Sequence, residues 1–156
     1  MKIYISYFYQ IRFFPPNLIP LSTARGDPSW FHNNNHQDYQ FKDKRGVLNG
    51  LRADPFVPGE QCNGLCHGPE TCYQTPSECK FFEAYYRQLA LLDFQKIISR
   101  FVSLAEQIKN DNKFDDVDFA LIVHEAPDNP CSERTMLQRW FAAHGYQLNE
   151  WSRDSI

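Results

Sequence analysis

The sequence predicts an α/β fold, with a mostly parallel sheet flanked by helices in a Rossmann-like or flavodoxin-like arrangement. Residues 117–123 (VDFALIV) form a short apolar run rich in branched side chains, which is typical of a strand buried on both faces. Apolar residues recur at helical spacing through residues 80–108. Strands that alternate with helices indicate a parallel sheet, and ligands bind such sheets beyond the carboxyl ends of the strands.

The composition predicts one domain over residues 1–156. The chain has 156 residues, 42% of them hydrophobic, which is enough for one hydrophobic core. With a net charge of −3, it lacks the global positive field of many nucleic-acid-binding proteins, although a local basic patch is compatible with this charge. No apolar run approaches the roughly 20 residues that span a bilayer, and the start MKIYISYFYQIRFF favours a first strand over a signal peptide. We therefore expect a cytoplasmic protein with no membrane segment.

The N-terminal part predicts two strands and two loops. The aromatic and branched residues 2–9 predict the first strand, and a loop that ends in a Pro-Pro pair follows over 10–16. Residues 17–23 (NLIPLST) predict a second strand, which Pro20 weakens or places at a sheet edge. A loop over 24–28 ends this strand, and the amide-rich stretch from residue 32 to 43 predicts a surface excursion.

The C-terminal part predicts a helix broken near Asp93, the buried strand, and a further helix. Asn129 is a preferred N-cap and Pro130 suits the first helical position. This helix should run to His144, with Gly145 as its left-handed stop and a last strand over 146–151.

Cys131 falls in the first turn of that predicted helix. Free amide groups and the positive end of the helix dipole favour a thiolate there, so Cys131 is a candidate nucleophile. His124 and Glu125, at the end of the preceding strand, are candidates for acid–base catalysis. The alternative is a small buried cysteine that packs under the helix, because Ser132 is no base. The short spacing to Arg134 excludes a phosphatase-type phosphate loop.

A cysteine-rich insert at residues 59–79 predicts a metal site. Its cysteines follow the spacing Cys62-x3-Cys66-x5-Cys72-x6-Cys79. Four thiolates suit zinc or an iron–sulfur cluster, with zinc slightly favoured, although the spacing lacks the usual zinc knuckles and His67 could replace one cysteine. A structural role is favoured, in which the metal orders a loop without a core. The alternatives are free surface thiols or a disulfide.

Basic and aromatic side chains near the predicted strand ends suggest an anionic ligand. Arg25, Arg134 and Arg12 could clamp a phosphate in bidentate fashion, although surface ion pairing is the simpler explanation for Arg12. Trp30 could stack on a base or simply pack. The basic residues between 42 and 52 could contact phosphates or belong to a solvated loop.

Two groups of motifs resemble the domain of unknown function 488 family. The first comprises Ile5-Ser6-Tyr7-Phe8, Ile11-Arg12, Leu21-Ser22-Thr23-Ala24-Arg25, Pro28 and Trp30-Phe31; the second comprises the strand 119–123, Glu125-Ala126-Pro127, Cys131, Trp140 and Gly145. The resemblance implies an α/β fold and suggests an enzyme that acts on nucleotides or nucleic-acid components. It covers about two thirds of the chain, at both ends.

Two departures from the family pattern affect the predicted site. The His that follows the family's Cys is Ser132 here, and its Arg is displaced to Arg134, with Glu133 between them. A proton relay through that His would be missing, or moved to His124. The cysteine-rich insert is extra to the pattern and looks like a variant carried by some bacteriophages.

We therefore expect a protein that binds a nucleotide or nucleic-acid component, and possible catalysis, in a crevice near Cys131. The residues predicted to bind ligand are Tyr7, Arg25, Trp30 and Ser132, and those predicted for catalysis are His124, Glu125, Cys131 and Arg134. The alternatives are a non-enzymatic phage protein that sequesters a nucleotide or engages a host protein in the host cytoplasm, and an iron–sulfur redox protein.

Overall fold

The computed structural model describes residues 1–32, 41–65 and 76–155. The strands there are β1 (Ile3–Tyr7), β2 (Leu18–Ser22), β3 (Phe41–Lys42), β4 (Leu48–Asn49), β5 (Asp118–Val123) and β6 (Asn149–Glu150), and the α-helices are α1 (Lys80–Ala90), α2 (Phe94–Asn112) and α3 (Arg134–Ala143). None of the helices in these ranges is long and apolar enough to cross a membrane.

The main sheet has the strand order β2-β5-β1-β6, and each neighbouring pair is parallel. The prediction of a buried strand at 117–123 is confirmed, because β5 lies between β1 and β2 and its last five residues are buried. Pro20 lies in the edge strand β2, as its missing amide proton predicted. The strands β3 and β4 form a separate antiparallel hairpin.

The helices end where the sequence supplies capping residues. Asp93 separates α1 from α2 and its side chain accepts a hydrogen bond of 3.2 Å from the amide of Lys96, which confirms the predicted break. Gly145 follows α3 with a φ of +79°, the left-handed conformation that glycine adopts without strain. The amide of Tyr146 then returns to the carbonyl of Phe141 and closes the end of α3.

All three α-helices pack against one face of the sheet. Ile5 and Leu121 point to this face and share a core with Tyr85 of α1, Phe101 of α2 and Trp140 of α3. The sheet is therefore an α/β layer with helices on a single side, whereas a doubly wound fold carries them on both.

The other face of the sheet is covered by segments that are not α-helical. Ala120 and Ile122 pack there against Phe8 and Ile11 of the 3-10 helix Phe8–Phe13, and against Trp151. The sequence predicted a loop at 10–16. Only ten residues separate β1 from β2, which is too short for a full α-helical crossover, so the chain crosses in this tight turn instead.

Candidate functional site

The residues that follow the parallel strands gather at one edge of the main sheet. Tyr7 is the last residue of β1, Thr23 follows β2, His124 follows β5 and Glu150 is the last residue of β6. The turn that leaves β5 leads into α3 at Arg134. This edge is the position at which open parallel sheets bind their ligands, so we refer to it as the strand-end site.

The turn between β5 and α3 differs from the prediction. The helix begins at Arg134 with Glu133 as its N-cap, so the prediction that Asn129 caps it and that Cys131 lies in its first turn was wrong. The Asn129 side chain accepts a hydrogen bond of 2.9 Å from the amide of Cys131, and the Ser132 hydroxyl accepts one of 3.2 Å from the amide of Arg134. These local hydrogen bonds satisfy backbone groups in a non-helical turn, so α3 begins only at Arg134.

Cys131 is a free thiol that is partly exposed, outside the helix. It therefore lacks the first-turn position on which its predicted activation depended. Ser132 is buried and serves the backbone of the turn.

Glu133 is the residue of the site that the sequence analysis missed. Its carboxyl group is partly buried and lies 3.4 Å from the Thr23 hydroxyl, which itself donates to the carbonyl of Ile122. Burial above all, and then the charge of Glu125, raise the pKa of Glu133 to about 7, although its own backbone amide, His124 and Thr23 act to lower it. A carboxyl group with this pKa can accept or donate a proton at neutral pH.

The charges of His124 and Glu125 both act on the carboxyl group of Glu133. The imidazole of His124 is exposed, its Nε2 lies 2.5 Å from the carbonyl of Gly26, and its ring packs on Phe8 with the centroids 4.8 Å apart. Glu125 is partly buried, and one of its carboxyl oxygens is buried without a hydrogen-bond partner among the described residues. The two carboxyl groups thus form an acidic pair at the end of β5.

Arg134 points to the opposite end of the site from Glu133. Its guanidinium is buried, donates to Glu150 at 2.6 Å and lies 5.8 Å from the centre of the Tyr7 ring. Burial raises the pKa of Glu150, while the charge of Arg134 and its hydrogen bond lower it. Within the described part of the chain, the Nη1 of Arg134 is buried and has no hydrogen-bond partner. An anionic ligand oxygen is the kind of group that would satisfy this nitrogen.

A buried carboxylate organises the loop that follows β2, and the sequence analysis also missed it. The side chain of Asp27 has no solvent exposure, and it accepts hydrogen bonds from the Ser22 hydroxyl, from Arg52 at 2.6 Å and from His32 at 2.7 Å. Arg52 also donates to the carbonyl of Ala24. The sequence does place Asp27 in a loop at the end of a predicted strand. It gave no sign of the ion pair, because the partner Arg52 lies far along the chain.

Arg25 lies in this loop but is directed to the base of the cysteine-rich insert. Its guanidinium donates to the carbonyls of Pro58, at 3.0 Å, and Gly59, at 2.8 Å. Trp30, in the same loop, is half exposed and packs edge-to-face on Phe8. The three arginines of the predicted phosphate clamp therefore have separate partners, since Arg12 stacks on Tyr9.

Residues 55–62, which lead into the insert and form its first turn, contact α1. The Gln88 amide donates to the carbonyl of Val57 at 2.7 Å and accepts from the amide of Gly59 at 2.8 Å. The buried Tyr85 hydroxyl donates to the carbonyl of Phe56 at 2.6 Å. Burial, followed by the charges of Glu133 and Cys62, raises the pKa of Tyr85. Tyr85 is thus influenced both by Glu133 of the strand-end site and by Cys62 of the insert.

Two of the four predicted metal-binding cysteines fall within the described residues. Cys62 lies beside Gln88 and Cys79 is the N-cap of α1; both are buried free thiols. Burial raises the pKa of Cys62, and the charge of Arg25 lowers it. Cys66 and Cys72 lie outside the described residues, and His67 does too. Among the residues that the structure describes, no group of three or more metal-ligating side chains is assembled.

The chemistry available at the strand-end site is proton transfer beside a small number of hydrogen-bond donors. Glu133 supplies the titrating carboxyl group, Glu125 a second carboxylate and Arg134 a buried cationic donor. A carboxyl group whose pKa lies near neutrality is a common basis for acid–base catalysis.

Comparison with known proteins adds no relative: no family model matches the chain, and no curated protein or solved structure is significantly similar to it.

Proposed function

We propose that the strand-end site binds a nucleotide or nucleic-acid component and exchanges a proton with it through Glu133. The observation that carries this proposal is the position of Glu133, a partly buried carboxyl group beside Thr23 where parallel strands end. Its pKa of about 7 supports the same role, because a general acid or base works best when its pKa lies near the working pH.

The neighbouring residues have distinct roles in this proposal. Burial keeps the proton on Glu133, the charge of Glu125 adds to this effect, and Thr23 orients the carboxyl group. Arg134 offers its Nη1, which has no hydrogen-bond partner among the described residues, to a ligand phosphate or carbonyl oxygen. Glu150 and Tyr7 fix the guanidinium in place.

Cys131 remains the proposed nucleophile, with its partly exposed thiol on the turn that leads to Glu133. Glu133 is a better candidate than Ser132 for the base that such a nucleophile needs, because the Ser132 hydroxyl is occupied by the backbone amide of Arg134.

The experiment is a turnover assay with matched variants. The protein is incubated with nucleoside 5′-mono-, di- and triphosphates, and the products are identified by mass spectrometry. We expect Glu133→Gln to lower the rate by roughly 10²- to 10⁴-fold while leaving nucleotide binding intact. Glu106→Gln, at an exposed position on α2, is the control. Undiminished turnover in Glu133→Gln would contradict the acid–base role, and full activity in Cys131→Ser would exclude the nucleophile.

The second candidate is a binding protein without catalysis, which sequesters a nucleotide or engages a host protein. Arg134 favours this candidate, because its buried Nη1 has no hydrogen-bond partner in the described part of the chain, and a bound ligand would satisfy it without any reaction. Tight binding of a nucleotide that is recovered unchanged would support this alternative. The resemblance to the domain of unknown function 488 family is compatible with both candidates, and it stays a prediction.

We further propose that Cys62, Cys66, Cys72 and Cys79 hold zinc or an iron–sulfur cluster that orders the insert. The two described thiols suit such a metal, because both are free and buried and thiolates are the ligands that zinc and iron–sulfur clusters prefer. The bound metal would replace the missing core of this segment with metal–thiolate bonds. A cytoplasmic, phage-encoded protein remains part of the same proposal.

A further inference from the structure

A groove of about 550 Å³ adjoins the strand-end site on the non-helical face of the sheet. It lies between the 3-10 helix Phe8–Phe13, Trp30 and the turn that joins β3 to β4. Phe8 is the shared wall: it contacts His124 of the strand-end site at 4.8 Å and Trp30 at 6.1 Å between ring centroids. The groove and the strand-end site are therefore neighbours on either side of this ring.

The groove presents an exposed aromatic ring. Trp30 is 51% exposed, whereas the other two tryptophans of the chain, Trp140 and Trp151, are 2% and 8% exposed. Phe8 and Phe31 hold Trp30 edge-to-face, at interplanar angles of 88° and 81°. An indole ring that is fixed by two buried rings yet half open to solvent is a suitable stacking platform, because little conformational freedom is lost on binding.

The groove is also locally basic in a chain of net charge −3. Arg12 and Lys44 line it and are exposed, whereas Arg45 and Asp43 form an ion pair of 2.9 Å and cancel each other. Asp43, the acidic residue of the described lining, is thus paired with Arg45, and the charges of Arg12 and Lys44 remain uncompensated beside Trp30. This combination of exposed ring and positive charge is typical of surfaces that bind single-stranded nucleic acid.

Arg45 makes the groove a preformed feature. Its guanidinium donates to the backbone carbonyls of Ile11, Arg12 and Phe14. These bonds attach the turn between β3 and β4 to the 3-10 helix and fix the distance between the two walls. The groove does not have to be created by the ligand.

We propose that this groove binds one nucleotide of a single-stranded nucleic acid, with its base stacked on Trp30 and its phosphates beside Arg12 and Lys44. The proposal rests on the proposed function and deepens it, because the ligand of the strand-end site becomes part of a strand rather than a free nucleotide. DNA and RNA both carry the bases and phosphates that the groove is proposed to bind, and the experiment distinguishes between them.

The test measures the binding of fluorescein-labelled dT8 and U8 by fluorescence anisotropy at several salt concentrations. We expect Trp30→Ala to weaken binding roughly five- to hundredfold, which is the usual effect of losing one stacked base. Lys44→Gln should lower the slope of log Kd against log salt by about one. Trp30→Phe should restore much of the affinity, and Lys96→Gln, on the exposed side of α2, should change nothing.

Tryptophan fluorescence gives a second readout, because Trp30 is the most exposed of the three indoles. Unlabelled dT8 should quench the wild-type emission, and this quenching should disappear in Trp30→Ala. Tighter binding of U8 than of dT8 would identify RNA as the ligand, and the reverse order would identify DNA.

Three results would overturn the proposal: wild-type protein that binds neither oligonucleotide at about 100 μM, Trp30→Ala with wild-type affinity, or Lys44→Gln with an unchanged salt slope. The failure of the groove is distinguishable from that of the strand-end site. Glu133→Gln should bind dT8 normally if the groove proposal holds, and Trp30→Ala should keep the titration of Glu133 if the strand-end proposal holds.

Discussion

At the level of single residues, the high pKa of Glu133 has a consequence for stability. In the unfolded chain a Glu titrates near pH 4.3, whereas in the folded protein Glu133 titrates near 7. Between these values the folded state binds more protons than the unfolded state, so the free energy of unfolding falls as the pH rises from about 4.3 to about 7. Above about pH 7 the free energy of unfolding stays lowered by the full cost of burying the charged carboxylate of Glu133.

We expect Glu133→Gln to remove this cost. The variant should be more stable than the wild type by about 3 kcal/mol at pH 8 and by only about 1 kcal/mol at pH 5, because Gln imitates the protonated acid. Urea denaturation at the two pH values measures the difference. The same stability change at both values would show that Glu133 carries no raised pKa, and Glu106→Gln should change stability equally little at each pH.

The ion pair between Arg134 and Glu150 should also contribute to the stability of the fold. Arg134 is 4% exposed, so Arg134→Met removes the partner of a carboxylate whose side chain is itself only 25% exposed. We expect a loss of about 3 kcal/mol at pH 7.5. The loss should shrink as the pH falls, because burial raises the pKa of Glu150 and the variant lacks the positive charge that lowers it.

The double variant Arg134→Met/Glu150→Leu provides the control for this pair. It should recover part of the lost stability, because no charge is then left buried without a partner. Additive effects of the two single substitutions would contradict a direct ion pair.

At the level of elements, the loop between β2 and the 3-10 helix Ser29–Phe31 depends on Asp27. The fully buried carboxylate holds Ser22, His32 and Arg52 together. Asp27→Asn should lower the free energy of unfolding by about 3 kcal/mol, since Arg52 then loses its buried counter-charge. Trypsin should also cleave faster after the exposed Arg25 in this variant, because the loop opens locally.

Asp54→Asn is the matched control for that loop. Asp54 also pairs with Arg52, at 3.4 Å, but its side chain is 82% exposed. Its removal should cost less than about 0.5 kcal/mol and leave the trypsin cleavage rate unchanged. Equal effects of the two substitutions would show that burial of Asp27 does not anchor the loop.

The elements that the sequence predicted correctly are those with a strong local cause. Alternating or continuous apolar runs predicted β1, β2 and β5, and Asp93 and Gly145 predicted helix ends through their capping chemistry. The start of α3 was wrong, because Asn129 and Ser132 bond the backbone of the turn and outweigh the preference of Pro130 for a first helical turn.

The residues of the strand-end site were harder to predict than its position. His124 and Glu125 could be predicted as site residues, because they come directly after a predicted strand. Glu133 did not, because its pKa depends on burial and on charges from Glu125 and His124, which only the folded chain brings near it. The same holds for Asp27, whose ionic partner Arg52 lies 25 positions away.

At the level of the whole molecule, the proposed metal site decides how the insert is ordered. If the four cysteines bind one zinc ion or one cluster, protein purified without oxygen contains the metal in a fixed ratio to the chain, and Cys62→Ser or Cys79→Ser loses it. Elemental analysis with an absorption spectrum measures this. Absorption near 400 nm together with iron would identify a cluster, and a colourless protein with zinc would identify zinc.

Protein without either metal would contradict the proposed site. Metal chelation should also leave the main sheet folded, because Cys62 is the one described insert residue in the core that contains Ile5, Leu121 and Trp140. Loss of all helical circular dichroism after chelation would contradict this expectation.

The central claim is that Glu133 titrates near neutral pH at the carboxyl edge of the sheet, and carboxyl ¹³C NMR tests it directly. Glu-labelled wild-type protein is titrated from pH 4 to pH 9, and the resonance absent from Glu133→Gln identifies the residue. We predict a midpoint near 7 for Glu133. A midpoint near the usual value of about 4.3 would contradict the account, because the site would then hold an ordinary carboxylate.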